Sequence, residues 1–186
     1  MFDSTQSTAA IALEGPLFGT PLSSRSDNAT KVERLLLPID ATERSHLGLA
    51  YVLKLHQQGK AVEVCLLNVG DTEKNLEVIC MHTRQELVQF QEERAQFLLS
   101  DAAQQLVTQG IAHQAYFCAG NISGSIAFAA DHLDCDAIVL PQPHPAWQHI
   151  FHHDNVRDVA AKAMRIPVIV VDDHGNPVDT ALALAA

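Results

Sequence analysis

CDAIVLPQPHPAWQHIFHHDNVRDVAAKAMRIPVIVV, residues 135–171, holds two short apolar runs with a polar loop and a helical pattern between them. CDAIVLP (135–141) and IPVIVV (166–171) are almost unbroken apolar runs, as expected of strands covered on both faces. From Asn155 to Arg165, the residues Val156, Val159, Ala160, Ala163 and Met164 recur at helical spacing and are predicted to point inward. Strand, helix and strand in this order predict a parallel pairing with the helix laid across the sheet.

The same alternation extends toward the N-terminus. ERLLLPID (33–40) predicts a buried strand, and Thr42 to Gln58 a helix with Leu47, Ala50, Tyr51 and Lys54–Leu55 inward, ended by Gly59. AVEVCLLNV (61–69) is a second strand, followed by a long helix from Arg84 to Gln109 whose apolar face is Leu87, Phe90, Phe97, Leu98, Ala102 and Leu106. AHQAYFCAG (112–120) is a third strand, and Ile122, Ile126, Ala129, Ala130 and Leu133 make a short helix before CDAIVLP. Five buried strands alternating with helices predict an α/β fold, a parallel doubly wound sheet with helices on both faces. The domain spans 32–172. Residues 1–31, rich in Ser, Thr, Gly and Pro, form a flexible arm or one that lies on a partner subunit, since Leu17, Phe18 and Leu22 are unusual residues to leave in water. The tail 173–186 reads as frayed or weakly helical.

A chain of 186 residues can build one domain with a substantial core. With 22 Asp+Glu against 12 Lys+Arg, its net charge of -10 argues against nucleic acid and anionic membranes as partners. Cys65, Cys80, Cys118 and Cys135 stand far apart without a CxxC pair, so they read as reduced and mostly buried. The opening residues lack the pattern of a signal peptide and no run reaches membrane-spanning length, so a cytoplasmic protein is expected. No nucleophile elbow, Ser-His-Asp order or paired-carboxylate motif is present, and no enzymatic activity is expected.

Several of these segments together resemble the universal stress protein family, over about residues 32–172. VERLLLPIDATERS is similar to the family's first strand ending in Pro-x-Asp, and AGNISGSI to its turn opening the third helix. CDAIVLP resembles the fourth strand, and AKAMRIPVIVVDD the last helix and final strand. The resemblance implies a sheet of strand order 3-2-1-4-5 and a dimeric stress-response protein acting by interaction. It also implies that the last strand, Pro167, Val168, Ile169, Val170 and Val171, is an edge strand able to pair with a second copy across a two-fold axis.

The family's nucleotide-binding branch carries a Gly-x2-Gly-x9-Gly-Ser/Thr loop after the fourth strand. Aligned without a gap from Asp136 to Pro167, this chain has Pro141, His144, Asp154 and Asn155 at the key positions. Phosphate loops turn successive backbone N–H groups toward the anion, and Pro141, Pro143 and Pro145 have none. Asp154 or Asn155 would cap the last helix from within the chain, and Asp154 would repel a phosphate. Loss of ATP binding is therefore expected, and no cofactor is implied. A remnant pocket would involve Asp40 and Val69, at the ends of the first two strands, with His144 and Asn155; it could serve a sensor of a small molecule or of a nucleotide such as AMP or ATP. Asp40 has an alternative role capping the helix start beside Thr42 and Ser45. His144, His149, His152, His153 and Asp154 raise the alternative of a zinc or nickel site, but no dedicated ligand spacing accompanies them, and surface histidines are the plainer reading. Trp147 and Phe151 read as an apolar plug or a partner contact.

Overall fold

The computed structural model of the chain describes residues 13, 15–23, 32–71, 84–142, 155–163 and 165–179. Its strands are β1 (Phe18–Gly19), β2 (Glu33–Pro38), β3 (Val62–Asp71), β4 (Ala112–Gly120), β5 (Ala137–Pro141), β6 (Val168–Val171) and β7 (Pro177–Val178). They form one sheet in the order β1-β4-β3-β2-β5-β6-β7. The five strands from β2 to β6 are mutually parallel and stand as 3-2-1-4-5 when numbered among themselves. The expected doubly wound core is therefore present, with a short antiparallel strand added at each end.

Successive side chains on a strand point to opposite faces, so a continuous apolar run supplies two cores at once. Leu35 and Leu37 of β2 enter one core with Val64 and Leu66 of β3, while Leu36, Cys65 and Leu67 enter the other. The first face is covered by α1 (Leu47–Gln57) and α2 (Arg84–Thr108), and the second by α3 (Ile122–His132) and α4 (Asn155–Lys162). Asn121 caps α3, its side chain accepting from the Gly124 N–H at 3.1 Å.

Two helix faces differ from the sequence expectation. A 3-10 turn at Glu43–His46 precedes α1 and sets its rotation, so Gly48, Leu49, Val52 and Leu55 are buried while Leu47, Ala50, Tyr51 and Lys54 are only partly covered. In α2 the buried residues are Ala95, Leu99, Ala102, Ala103 and Leu106, and Phe90 and Phe97 are 64% and 77% exposed. Alanines let this long helix lie close to the sheet, where the bulk of phenylalanine would hold it away. The side chain of Leu87 lies outside the described residues.

Each tail adds a short strand to the sheet. The arm adds β1 antiparallel to β4, with Phe18 opposite Ala115 and Gly19 opposite Gln114. Leu17 N–H donates to the Ala115 carbonyl at 2.8 Å and Thr20 N–H to that of His113 at 2.7 Å. Leu17 and Phe18 then pack on the first core and Leu22 on the second. Leu17, Phe18 and Leu22 are thus partly covered by their own subunit. At the other end β7 pairs with β6, Val170 opposite Val178 and Val171 opposite Pro177. The last long strand, expected at the edge, is therefore one strand in from it. The turn joining them is tied by Asp172, whose Oδ1 accepts from the N–H groups of His174 at 2.9 Å and Asn176 at 2.8 Å. Cys65, Cys118 and Cys135 are buried and, among the described residues, form no disulfide, and Cys80 lies outside the described residues.

Candidate functional site

In an open α/β sheet, ligands collect beyond the C-terminal ends of the strands, where the strand order changes direction. Here that point lies between β2 and β5, where Asp40 stands two residues past the end of β2 and Gln142 directly after β5. The carboxylate of Asp40 turns back on its own chain, with Oδ1 accepting from Thr42 N–H at 2.8 Å and Thr42 Oγ1 at 2.5 Å. Ser45, buried behind it, donates to the Thr42 carbonyl at 2.9 Å. These bonds set the entry into the 3-10 turn and α1. Asn68 Nδ2 donates to the Ile39 carbonyl at 2.7 Å and fastens the end of β3 to that of β2.

Arg44, on the 3-10 turn, reaches across to the β5–β6 side. Its Nη1 lies 2.8 Å from Asp173 Oδ1, and its Nη2 donates to the Gln142 carbonyl at 2.8 Å. Gln142 N–H donates in turn to the Val171 carbonyl at 2.8 Å. Both backbone groups of Gln142 are thereby committed within the chain. Pro141 on one side and Pro143 on the other have no N–H to offer. Sequence reading did not single out Arg44, because its partners lie 98 and 129 residues away.

A cleft of about 360 Å³ opens beside Asp40, lined by Asp40, Ala41, Thr42, Glu43, His46, Leu98 and Asp101. Three carboxylates and no lysine or arginine face it, which disfavours a phosphate and leaves room for a small neutral or cationic molecule. Val69 does not line this cleft; it packs against the core on the other sheet face. Asn155 opens α4, but its side chain lies outside the described residues, as does His144. The histidine-rich loop, with Trp147 and Phe151, falls there too. Among the described residues, no three His, Cys, Asp or Glu side chains gather as metal ligands would.

A second cleft, of about 450 Å³, lies at the other end of the sheet and is bordered by Ser23, Arg34, Tyr116, His132 and Asp134. Arg34 in its wall forms an ion pair of little exposure with Glu63 behind it, Nη2 to Oε2 at 3.1 Å. Ser23 N–H donates to Glu63 Oε1 at 2.6 Å, while Arg34 Nη2 donates to the Ser23 carbonyl at 2.7 Å and Nη1 to that of Leu133 at 3.0 Å. Burial raises the pKa of Glu63, but hydrogen bonds from Ser23 and Arg34 and the Arg34 charge together leave it below the ordinary carboxylate value. Burial also pushes the Tyr116 phenol up to about 12. With its donors taken up inside the protein, the guanidinium serves structure, fastening the arm to the sheet.

The sequence matches no family model, and no curated protein matches it. Solved structures do match. The hypothetical protein MJ0577 superposes with a TM-score of 0.62 at 23% identity, over 75% of this chain and 95% of that one. A universal stress protein from Archaeoglobus fulgidus DSM 4304 gives 0.58 at 20% identity, over 76% of this chain and 50% of the other. Universal stress protein UspA from Lactobacillus plantarum gives 0.57 at 17% identity, over 76% of this chain and 99% of that one. The chain has the fold of the universal stress proteins. Within the universal stress fold, Asp40 and Gln142 mark the ends of the first and fourth core strands, the places where the sequence resemblance put the remnant pocket and its proline-substituted loop. No helix among the described residues is long and apolar enough to cross a membrane.

Proposed function

We propose that this is a cytoplasmic stress-response protein of the universal stress type that does not use ATP, catalyses no reaction and acts by interaction as a homodimer. The observation that carries the loss of ATP binding is the state of Gln142. At the start of the loop where the nucleotide-binding branch cradles phosphate, its N–H is spent on Val171 and its carbonyl on Arg44. The adjoining cleft presents Asp40, Glu43 and Asp101, a lining that repels a triphosphate. Titration of ATP, with and without Mg²⁺, into the protein in a calorimeter is expected to give no heat of binding up to millimolar ligand. Stoichiometric micromolar binding would overturn this reading. Pairing of two copies through Pro167–Val171 would require the tail strand to leave Val170 and Val171 or the second copy to add to β7. A monomer at every concentration in light scattering would remove the dimer from the proposal.

A further inference from the structure

The helix α2 carries an outward stripe that the fold leaves uncovered. At 3.6 residues per turn, Phe90, Glu93, Arg94 and Phe97 fall within about 100° of its circumference. Ala95, Leu99, Ala102, Ala103 and Leu106, the residues against the sheet, lie on the opposite side. Phe90 and Phe97 are 64% and 77% exposed, and Glu93 and Arg94 between them are exposed too. Among the described residues, no ion pair holds Glu93 or Arg94. Two phenylalanines two turns apart, with an acid and a base between them, are costly to leave in water and gain nothing for this subunit's core.

We propose that this stripe is a self-association surface and that its occupant is the same stripe of a second copy, packed antiparallel about a two-fold axis between Glu93 and Arg94. A two-fold contact must be self-complementary, each residue meeting its counterpart reflected through the axis. With the axis there, Phe90 meets the second copy's Phe97, and Glu93 meets its Arg94, each twice. Both aromatic contacts and both ion pairs are satisfied by one register, which is the charge complementarity that selects a second copy over an unrelated helix. The same register sets Glu86 opposite the second copy's Asp101, a like-charge pair that confines the contact to the central turns. Four phenylalanines bury at most on the order of 600–1,000 Å² in total, below the usual area of a permanent dimer, so the association is weak and concentration-dependent. This inference rests on the reading that the protein self-associates, and it names the surface.

Sedimentation velocity of the full chain, from micromolar to near-millimolar protein, tests it. The wild-type sedimentation coefficient is expected to rise with concentration, and Phe90→Glu or Phe97→Glu to weaken that association step about tenfold or more. Glu93→Arg and Arg94→Glu, each placing like charges across the axis, weaken it singly and restore it when combined. Asp101→Lys, which turns the flanking repulsion into attraction, tightens it. Since these side chains are exposed, each variant should keep the wild-type circular dichroism spectrum and melting temperature, and that check separates a lost contact from a lost fold. Concentration-independent monomer for the wild type would defeat both the homodimer reading and this surface. Association unchanged by the phenylalanine variants, or unrestored by the double charge exchange, would defeat the surface alone.

Discussion

In β3, Glu63 interrupts an apolar strand; the residue is 4% exposed and its carboxylate is held by the Ser23 N–H and by Arg34. Removing one partner of a buried ion pair strands the other, so Glu63→Gln is expected to cost about 3 kcal/mol in urea unfolding and to free residues 15–23 for limited proteolysis. Because the folded pKa lies below the unfolded one, Glu63's contribution is fully present above the ordinary glutamate range. It is lost as pH falls through the lowered folded value. Glu63→Gln should therefore flatten that part of the acid-unfolding curve. Gly175 is constrained differently: at φ 67°, a Cβ would also lie 2.8 Å from that of Ala50. Gly175→Ala is expected to cost about 1–3 kcal/mol through strain in the turn before β7, read as a lowered urea midpoint. The odd charges in strands, Arg34 and Glu63, were visible in the sequence. That they pair with each other and with Ser23 was not, since the partners stand up to 40 residues apart.

Among the elements, α2 separates burial from hydrophobicity most clearly. Leu99 is fully buried against the sheet while Phe97, two positions before it, is 77% exposed. Leu99→Ala is expected to destabilise the protein by about 2–5 kcal/mol, whereas Phe97→Ala should stay within about 0.5 kcal/mol in dilute solution, both measured by urea unfolding. A ranking by side-chain hydrophobicity predicts the reverse emphasis. The alternation of strands and helices was legible because it follows from periodicity within each segment. Helix rotation was less so: α1 turns on the geometry of the 3-10 segment Glu43–His46, and α2 on which residues leave room for close packing. Of the candidate site, Asp40 was legible as a strand-end carboxylate, while the Arg44–Gln142 and Arg44–Asp173 links depend on three separate elements converging.

For the molecule as a whole, the universal stress fold supplies a strand-end crevice, and this chain lines what is described of it with acids and internally committed backbone. The calorimetric silence expected for ATP has a thermal counterpart. A ligand that binds only the folded state raises its melting temperature, so millimolar Mg·ATP should leave it unchanged. By itself the sequence determined the five parallel strands, the helices that alternate with them, the two-sided core and the loss of glycines from the loop after Pro141. Each of these is encoded locally, in apolar runs, helical spacing and the backbone chemistry of single residues. Only the tertiary structure decided that both tails close the sheet, that Arg34 and Arg44 are consumed as internal fasteners, and that Phe90 and Phe97 face outward. Those outcomes depend on which distant segments meet, and the free energy of such contacts is fixed by packing and partner geometry that no local pattern contains.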